Sequence, residues 1–337
     1  MLNTPIRRRK RTLAAERLFI LLVLTVILLI LLLSFFLFLW KGKDDSTYSP
    51  NSGQPAAAIL PESAQQAEGT ASSAPNHTEY YTVTRTEEDL HRGDLILVNA
   101  KDELPCRFLE DEYLVSIFDG KSSSYNVYDM NVQLSSRALA PLNRMMDDFY
   151  AEYGTDSVNV VSGYRSYETQ EALLSEEIAE KGATEAERWV TKPGYSEHHT
   201  GLAIDLSIYH TEEGTSEEYD GTGIYAWINE NAYKYGYVVR YEDKKREFTG
   251  IYHEPWHFRY VGIPHAFVMK ENELCLEEYI QYLKAYRYED QHLNVTCDGV
   301  GYEIYYTEDM EVPVPADREY SISGNNADGF IVTVRES

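Results

Sequence analysis

The ten residues from Ser196 to Asp205 constrain the fold more than any other stretch of this chain. They read Ser-Glu-His-His-Thr-Gly-Leu-Ala-Ile-Asp, so that an imidazole, His198, stands seven residues before a carboxylate. Seven residues exceed one helical turn, and the apolar alternation over Leu202–Leu206 is typical of a strand. The pattern therefore predicts a loop that runs into a strand, and histidine and carboxylate groups that converge in this way suit a zinc site.

A second motif, from Glu254 to His257, supplies another carboxylate and another imidazole. With His198, Asp205 and His257 as ligands, a zinc ion would have three protein groups and one open position. That arrangement is typical of catalytic zinc sites rather than structural ones. Glu254 could then take a proton from the attacking water and pass it to the leaving amine.

The same stretch also matches H-E-x-x-H, the signature of helical zinc peptidases, with His253 as its first histidine. That signature requires a helix that places both histidines on one face. Pro255 argues against a helix, because its ring would clash with the carbonyl of residue 251 and it disfavours helical dihedrals at Glu254. We therefore predict that His253 does not bind the metal.

Together these motifs resemble those of the VanY-type D-alanyl-D-alanine carboxypeptidases, members of the M15 metallopeptidases (M15B) within the wider LAS group. The resemblance spans about residues 92–285. It rests on the stretches Ser196-x-His198-x-x-Gly201-x-Ala203-x-Asp205, Glu254-Pro255-Trp256-His257 and Ser162-Gly163-Tyr164-Arg165-Ser166, the last followed by Gln170.

The resemblance implies an α+β fold of the LAS or hedgehog-like type, with a central, mostly antiparallel sheet flanked by helices. It implies a zinc-dependent exopeptidase that removes the terminal D-alanine from peptidoglycan stem peptides or their precursors. His198, Asp205 and His257 would bind one zinc ion. Glu254 would be the general base, and Arg165 would steady the substrate and its oxyanion.

Arg165 falls where a predicted strand meets a predicted helix. A guanidinium can hold a terminal carboxylate with two hydrogen bonds, although a surface arginine paired with an acidic neighbour would look the same in sequence. We also expect Gln170, Ser196 and Trp256 to contact the substrate. A solvated helix glutamine and a loop-shaping serine are the alternatives for the first two.

The N-terminal region predicts a membrane anchor. Leu18–Trp40 is a run of 23 residues without charge, which is long enough to cross about 30 Å of hydrocarbon. A basic cluster at residues 7–11 precedes it and predicts a cytoplasmic N-terminus. A cleavable signal peptide is the alternative, but the bulky end of the run, Phe35–Trp40, favours an uncleaved anchor. We expect a single-pass protein of the cell membrane with its catalytic domain outside the cytoplasm.

These patterns divide the chain into five predicted parts. They are a cytoplasmic basic tail (1–17), a transmembrane helix (18–40), a flexible stalk rich in Ser, Pro, Gly and Ala (41–80), the peptidase domain (81–286) and a small β-rich extension (287–337). The net charge of −25 argues against a nucleic-acid partner, which requires a basic face.

Within the peptidase domain we predict strands at Asp94–Asn99 and residues 158–161, and helices over 137–153, 166–180, 224–235 and 274–286. In the first of these helices, an inward-facing stripe is expected to include Phe149 and Tyr150. The three cysteines lack metal-binding spacing, and an exported domain could form one disulfide.

The complete motif set favours an active enzyme. An L,D-carboxypeptidase that trims tetrapeptide stems would use the same catalytic residues, and a D,D-endopeptidase would need no cation for a free carboxylate. From a different class, a non-catalytic wall-binding or sensory ectodomain could be tethered by the same anchor.

Overall fold

The computed structural model describes residues 79–105, 113–211 and 213–336. The predicted cytoplasmic tail and transmembrane helix lie outside the described residues, as do residues 41–78 of the predicted stalk and Cys106. None of the helices within the described ranges is both long enough and apolar enough to span a bilayer.

The described part of the chain alternates helices and strands, and its strands form two larger sheets and two short pairs. The strands in chain order are β1 (Tyr80–Thr84), β2 (Leu114–Ser116), β3 (Asn126–Val127), β4 (Gln133–Ser135), β5 (Val158–Ser162), β6 (Ala203–His210), β7 (Thr215–Glu218), β8 (Tyr237–Tyr241), β9 (Glu254–Tyr260), β10 (Leu293–Cys297), β11 (Val300–Thr307), β12 (Glu311–Pro315), β13 (Tyr320–Gly324) and β14 (Phe330–Arg335).

The helices lie mainly between the strands of the peptidase region. The α-helices are α1 (Ile117–Gly120), α2 (Ser136–Tyr153), α3 (Tyr167–Lys181), α4 (Ala183–Ala186), α5 (Ala226–Asn231), α6 (Arg246–Thr249), α7 (His265–Glu271) and α8 (Leu276–Leu283). Single 3-10 turns cover Glu87–His91, Glu197–Thr200, Gly223–Tyr225, Ala232–Tyr235 and Asp243–Lys245.

The central sheet has the order β3-β5-β6-β9-β8, and β7 pairs with β6 outside that path. Only the β3–β5 pair is parallel among these pairings, so the sheet is mostly antiparallel as predicted. In the β6–β9 ladder, Asp205 lies directly opposite His257. The register of two strands thus brings together residues that are 52 positions apart in sequence.

Two long helices follow from local signals in the sequence. Helix α2 ends at Gly154, whose φ of 67° is left-handed and suits a residue without a Cβ. Helix α3 begins after Ser166, whose hydroxyl accepts a hydrogen bond from the Thr169 amide. Phe149 of α2 is fully buried, but Tyr150 is 44% exposed, so the prediction that Tyr150 faces the core was wrong.

The strand predicted at Asp94–Asn99 does not form. The segment is irregular because side chains, rather than a neighbouring strand, form several of its backbone hydrogen bonds. Arg259 donates to the carbonyl oxygens of Asp94 and Ile96, at 3.0 and 2.9 Å. The amide of Leu95 donates to the hydroxyl of Ser323, at 2.9 Å.

The other predicted elements differ mainly in extent. The helix predicted over 224–235 is a short α-helix flanked by 3-10 turns, and the last predicted helix shortens to Leu276–Leu283. The short helix α4 follows α3 directly and was not predicted.

Residues 287–337, predicted as a β-rich extension, contain β10 to β14, and the second larger sheet has the order β10-β11-β14-β13. This sheet shares a hydrophobic core with the preceding helices, since Ile304 and Ile331 pack in one cluster with Leu276 and Ile280 of α8. The first described strand, β1, pairs with β12. The described residues therefore form one compact unit across the predicted boundary at residue 287.

Candidate metal site and active-site groove

Three side chains from different elements converge at one buried position. His198 lies in the 3-10 turn Glu197–Thr200, Asp205 in β6 and His257 opposite it in β9. All three are buried, and their ligand atoms lie within 4.8 Å of one another. The structure therefore brings together the three residues that the sequence predicted as metal ligands.

The candidate ligand atoms lie close enough together to share one metal ion. His198 Nε2 lies 3.2 Å from Asp205 Oδ2, and His257 Nδ1 lies 2.9 Å from Asp205 Oδ1. Bonds of about 2.1 Å in tetrahedral geometry would place neighbouring ligand atoms about 3.4 Å apart. Small adjustments would accommodate a zinc-sized ion between them.

The environment of His198 selects the nitrogen that faces the cluster. Its Nδ1 lies 2.7 Å from the carbonyl oxygen of Gly163, which can only accept, so Nδ1 carries the proton and Nε2 presents a lone pair. Burial, together with the nearby Arg165 guanidinium, lowers the pKa of His198 to about 4. At neutral pH His198 is thus an uncharged imidazole, the form that binds metals.

His257 lies between two carboxylates. Its Nδ1 faces Asp205, and its Nε2 lies 3.4 Å from Glu197 Oε2. Burial lowers the pKa of His257, but hydrogen bonds to Asp205 and Glu197 outweigh that effect and raise it to about 9. His257 would therefore have to lose a proton to bind a metal ion, and metal binding at this site would depend on pH.

Glu254, the first residue of β9, lies beside the three ligands. Its Oε2 is 3.8 Å from His257 Nδ1, and the residue is buried. Burial raises the pKa of Glu254 to about 8, and the Asp205 and Glu197 carboxylates add to the rise. A cation held by the three ligands would lower this pKa and favour the carboxylate.

Arg165 follows β5 and reaches the same cluster. Its NH2 forms an ion pair with Asp205, and its Nε donates to the hydroxyl of Ser162 at 2.9 Å. Burial acts to raise the pKa of Asp205, but His198 and Arg165 outweigh it and hold that pKa well below its usual range. Gln170 is 1% exposed, so it is not a solvated helix residue; it accepts from Arg165 NH1 at 3.5 Å and donates to the Thr191 carbonyl at 2.8 Å.

The candidate ligands line a groove of about 620 Å³. Arg165, Gln170, Ser196 and Trp256 line the same groove, which is where the predicted substrate contacts should lie. Ser196 also shapes the loop, because its carbonyl accepts from the amide of His199 at 3.1 Å. The substrate roles of these four residues stay predictions.

Two other histidines near the motifs lie outside the cluster of candidate ligands. His199 turns away from the cluster: its Nδ1 donates to the Arg165 carbonyl, its Nε2 accepts from the Gly194 amide, and its ring stacks on Tyr167. His253 Nδ1 donates to the carbonyl of Tyr241. Since β9 begins at Glu254, the residues from Glu254 to His257 lie in a strand and the helical H-E-x-x-H arrangement does not form.

Sequence reasoning missed three charged residues behind the site, namely Glu197, Arg240 and Arg259. Their side chains are completely buried, and both guanidiniums donate to Glu197. Burial opposes the charge on Glu197, but the two arginines hold its pKa well below the usual range. The sequence did contain a signal for the two buried arginines: Arg240 directly follows the apolar pair Val238-Val239, and Arg259 directly follows Phe258.

The groove thus combines five side chains: the candidate ligands His198, Asp205 and His257, the buried Glu254, and Arg165. A ligand set that leaves a coordination position open, with a base beside it, is suited to metal-assisted hydrolysis. A guanidinium at the same place is suited to holding a carboxylate. The chemistry of the site therefore favours hydrolysis next to a free terminal carboxylate.

Comparison with known proteins agrees with this chemistry. A family model described as VanY, D-alanyl-D-alanine carboxypeptidase, matches residues 131–263, which include all five of these side chains. A solved structure, the vancomycin resistance D,D-dipeptidase VanXYg in complex with a D-Ala-D-Ala phosphinate analog, aligns with a TM-score of 0.67 and 33% identity, over 77% of this chain and 100% of that one.

Two curated relatives are similar over most of their length. A D-alanyl-D-alanine carboxypeptidase of Enterococcus faecium is 37% identical over 255 residues, which cover 74% of this chain and 78% of the relative. A D-alanyl-D-alanine carboxypeptidase of Enterococcus faecalis (strain ATCC 700802 / V583) is 35% identical over 219 residues, which cover 61% of this chain and 73% of the relative. On the strength of these matches, the chain belongs to the VanY family of D-alanyl-D-alanine carboxypeptidases.

Proposed function

We propose that this protein is a zinc D,D-carboxypeptidase that hydrolyses the terminal D-Ala-D-Ala bond of peptidoglycan stem peptides or their precursors. The observation that carries the proposal is the convergence of His198, Asp205 and His257 in one groove with Glu254 and Arg165. The names of the similar enterococcal enzymes support the choice of substrate.

The ligand set fits zinc by its donor types, since two imidazoles and one carboxylate are usual for catalytic zinc. When bound, zinc supplies a Lewis acid that polarises the scissile carbonyl and activates water at neutral pH. His198 holds its lone pair toward that position because Gly163 fixes its proton on the other nitrogen.

Glu254 handles the proton in the reaction. As a carboxylate it accepts a proton from the attacking water, and as the acid it then donates that proton to the departing amine of D-alanine. Burial and the adjacent Asp205 and Glu197 carboxylates raise the pKa of Glu254, and a bound cation would lower it again toward the range in which the side chain can act first as base and then as acid.

Arg165 accounts for exopeptidase specificity. The C-terminal D-alanine of a stem peptide carries a free carboxylate, which a guanidinium can bind through two parallel hydrogen bonds. The Ser162 hydroxyl and the Gln170 amide hold the Arg165 side chain at the groove, so its direction is fixed before substrate arrives.

We place the catalytic unit outside the cytoplasm, on a single membrane anchor formed by residues 18–40. The support comes from the sequence alone: an uncharged run of spanning length and a basic flank that predicts a cytoplasmic N-terminus. Peptidoglycan stem peptides are exposed on that outer side.

The test is digestion of synthetic pentapeptide and tetrapeptide stems, followed by mass spectrometry with and without a chelator. We expect one D-alanine to leave the pentapeptide, and the chelator to stop the reaction. Cleavage of the tetrapeptide instead would indicate an L,D-carboxypeptidase, and no cleavage of either would favour a non-catalytic ectodomain.

A substitution separates chemistry from metal binding. Glu254→Ala should keep its zinc by elemental analysis and lose about 10²- to 10⁴-fold in turnover, because the proton transfer loses its carrier. Glu230→Ala, which removes an exposed carboxylate, is the matched control and should behave as wild type. Full turnover in the Glu254 variant would contradict the proposed mechanism.

A further inference from the structure

We propose that Glu197 positions His257 for metal binding, and that a buried chain of alternating charges through Arg259, Arg240 and Glu277 holds Glu197 in place. The proposal rests on the metal site proposed above and adds to it a residue outside the ligand set. Glu197 precedes His198 in the chain. Its side chain contacts His257 at Nε2, the ring nitrogen that faces away from the other candidate ligands.

The first step of the argument is the contact between Glu197 and His257. The ring of His257 has one nitrogen toward each of two carboxylates, with Nδ1 2.9 Å from Asp205 and Nε2 3.4 Å from Glu197. A hydrogen bond from Nε2 to Glu197 keeps the proton on that nitrogen, so the proton that a bound metal ion would displace is the one on Nδ1, which faces the other ligands. Glu197 thereby selects the tautomer that can bind a metal ion.

The second step is the fixed orientation of the Glu197 carboxylate. Its Oε1 accepts from Arg240 Nε at 2.7 Å and from Arg259 NH1 at 2.9 Å, while Oε2 faces His257. Two guanidiniums on one oxygen prevent the carboxylate from rotating. The other oxygen is therefore presented to the imidazole in one direction.

The third step is the anchoring of the two arginines. Arg240 forms a two-hydrogen-bond pair with Glu277 of α8, at 2.7 and 2.9 Å, and Glu277 also accepts from Asn99 at 3.1 Å. Arg259 NH2 donates to two backbone carbonyls of the segment before Asn99. The position of His257 is thus coupled to α8 and to the irregular segment 94–99.

Strand geometry explains why Arg259 can reach Glu197. His257 and Arg259 are two residues apart in β9, so their side chains project from the same face of the strand. Glu197 lies on that face, in contact with both.

Fold stability alone does not account for this chain of charges. Two arginines and two glutamates balance in charge, yet apolar residues in place of a buried ion network are often neutral or stabilising. A network that ends on a metal-ligand candidate is better explained by the orientation that it gives to the ligand. Carboxylates behind ligating histidines commonly have that effect, and their loss lowers metal affinity about 10- to 100-fold.

The experiment compares Glu197→Gln with wild type in the full-length chain. We expect the zinc affinity, measured by competition with a chromophoric chelator, to fall about 10- to 100-fold. The visible absorption of the cobalt-substituted protein should also change, because the geometry around His257 changes. Glu230→Gln, an exposed carboxylate with the same change of charge, is the control and should alter neither measurement.

A second variant, Glu277→Gln, keeps the contact between Glu197 and His257 but weakens the anchor of Arg240. It should also lower zinc affinity, by a smaller factor than Glu197→Gln. If Glu197→Gln does not fold, the zinc affinity of Glu277→Gln tests the inference instead. Wild-type zinc affinity and an unchanged cobalt spectrum in the folded variants would overturn the inference, even if their thermal stability is reduced. Failure of the wild-type chain to bind zinc would instead overturn the proposed function and the inference with it.

Discussion

His265 makes the stability of this protein depend on pH in a way that can be measured. The residue begins α7 and is buried between two hydroxyl groups, with Nδ1 2.8 Å from Tyr279 Oη and Nε2 2.9 Å from Thr333 Oγ1. These contacts join α7 to α8 and to β14. Burial lowers the pKa of His265 to about 3 from its ordinary value of 6.5.

The sign and the size of the effect follow from this shift. The folded-state pKa is below the unfolded one, so the contribution of His265 to stability is complete above pH 6.5 and is lost as the pH falls toward 3. At pH 5 the unfolded imidazole is protonated and the folded one is not. The pH of 5 lies 1.5 units below the ordinary pKa of 6.5, and each unit changes the free energy of unfolding by about 1.4 kcal/mol. The protein should therefore be less stable at pH 5 than at pH 7.5 by about 2 kcal/mol.

The perturbation is His265→Asn, which removes the titrating group. At pH 7.5 the variant should be less stable than wild type by about 1–3 kcal/mol, because one buried hydroxyl loses its hydrogen bond. Between pH 7.5 and 5 the stability gap should narrow by about 2 kcal/mol. Urea unfolding in the presence of a chelator measures both proteins without bound metal, and other titrating groups cancel in the difference.

His210→Asn is the reference variant, because it removes a half-exposed imidazole from β6. A gap between wild type and His265→Asn that stays constant from pH 7.5 to 5 would refute the reasoning. It would mean that His265 is not buried as an uncharged imidazole.

Three further substitutions test other parts of the structure. Arg165→Lys should lower kcat/KM on the pentapeptide at least about tenfold, since a lysine cannot offer two parallel hydrogen bonds to a carboxylate, and unchanged kinetics would contradict the proposed role. Gly163→Ala should destabilise the fold by about 1–3 kcal/mol in thermal unfolding, because its Cβ would lie 2.1 Å from the carbonyl oxygen of Gln133. Phe149→Ala should cost about 3–5 kcal/mol in urea unfolding, and a loss below 1 kcal/mol would show that Phe149 is not part of a packed core.

The sequence was most informative where the signal is local. The helices predicted over 137–153 and 166–180 form, with Gly154 and Ser166 as their caps, and the apolar alternation around Asp205 predicted β6. Pro255 correctly argued against a helix at the second motif. Each of these signals acts within a few residues of the element that it determines.

Contacts between distant residues account for what the sequence could not predict. The segment 94–99 looks like a strand in the sequence, but Arg259 donates to two of its carbonyl groups from 163 and 165 positions away. Glu197 looks like an ordinary polar loop residue, and only the approach of Arg240 and Arg259 makes its burial possible. The sequence shows that Arg240 and Arg259 lie next to apolar residues, but the tertiary structure decides which groups they pair with.

The pairing of β1 with β12 limits how this protein can be shortened for laboratory work. The region that the family model matches, 131–263, contains every candidate catalytic residue and looks like a natural expression unit. Cutting there would remove both strands of the β1–β12 ladder and, with α7, α8, β11 and β14, most of the buried residues of the cluster to which Val261 belongs. A soluble version should therefore begin ahead of Tyr80 and keep the chain through Arg335.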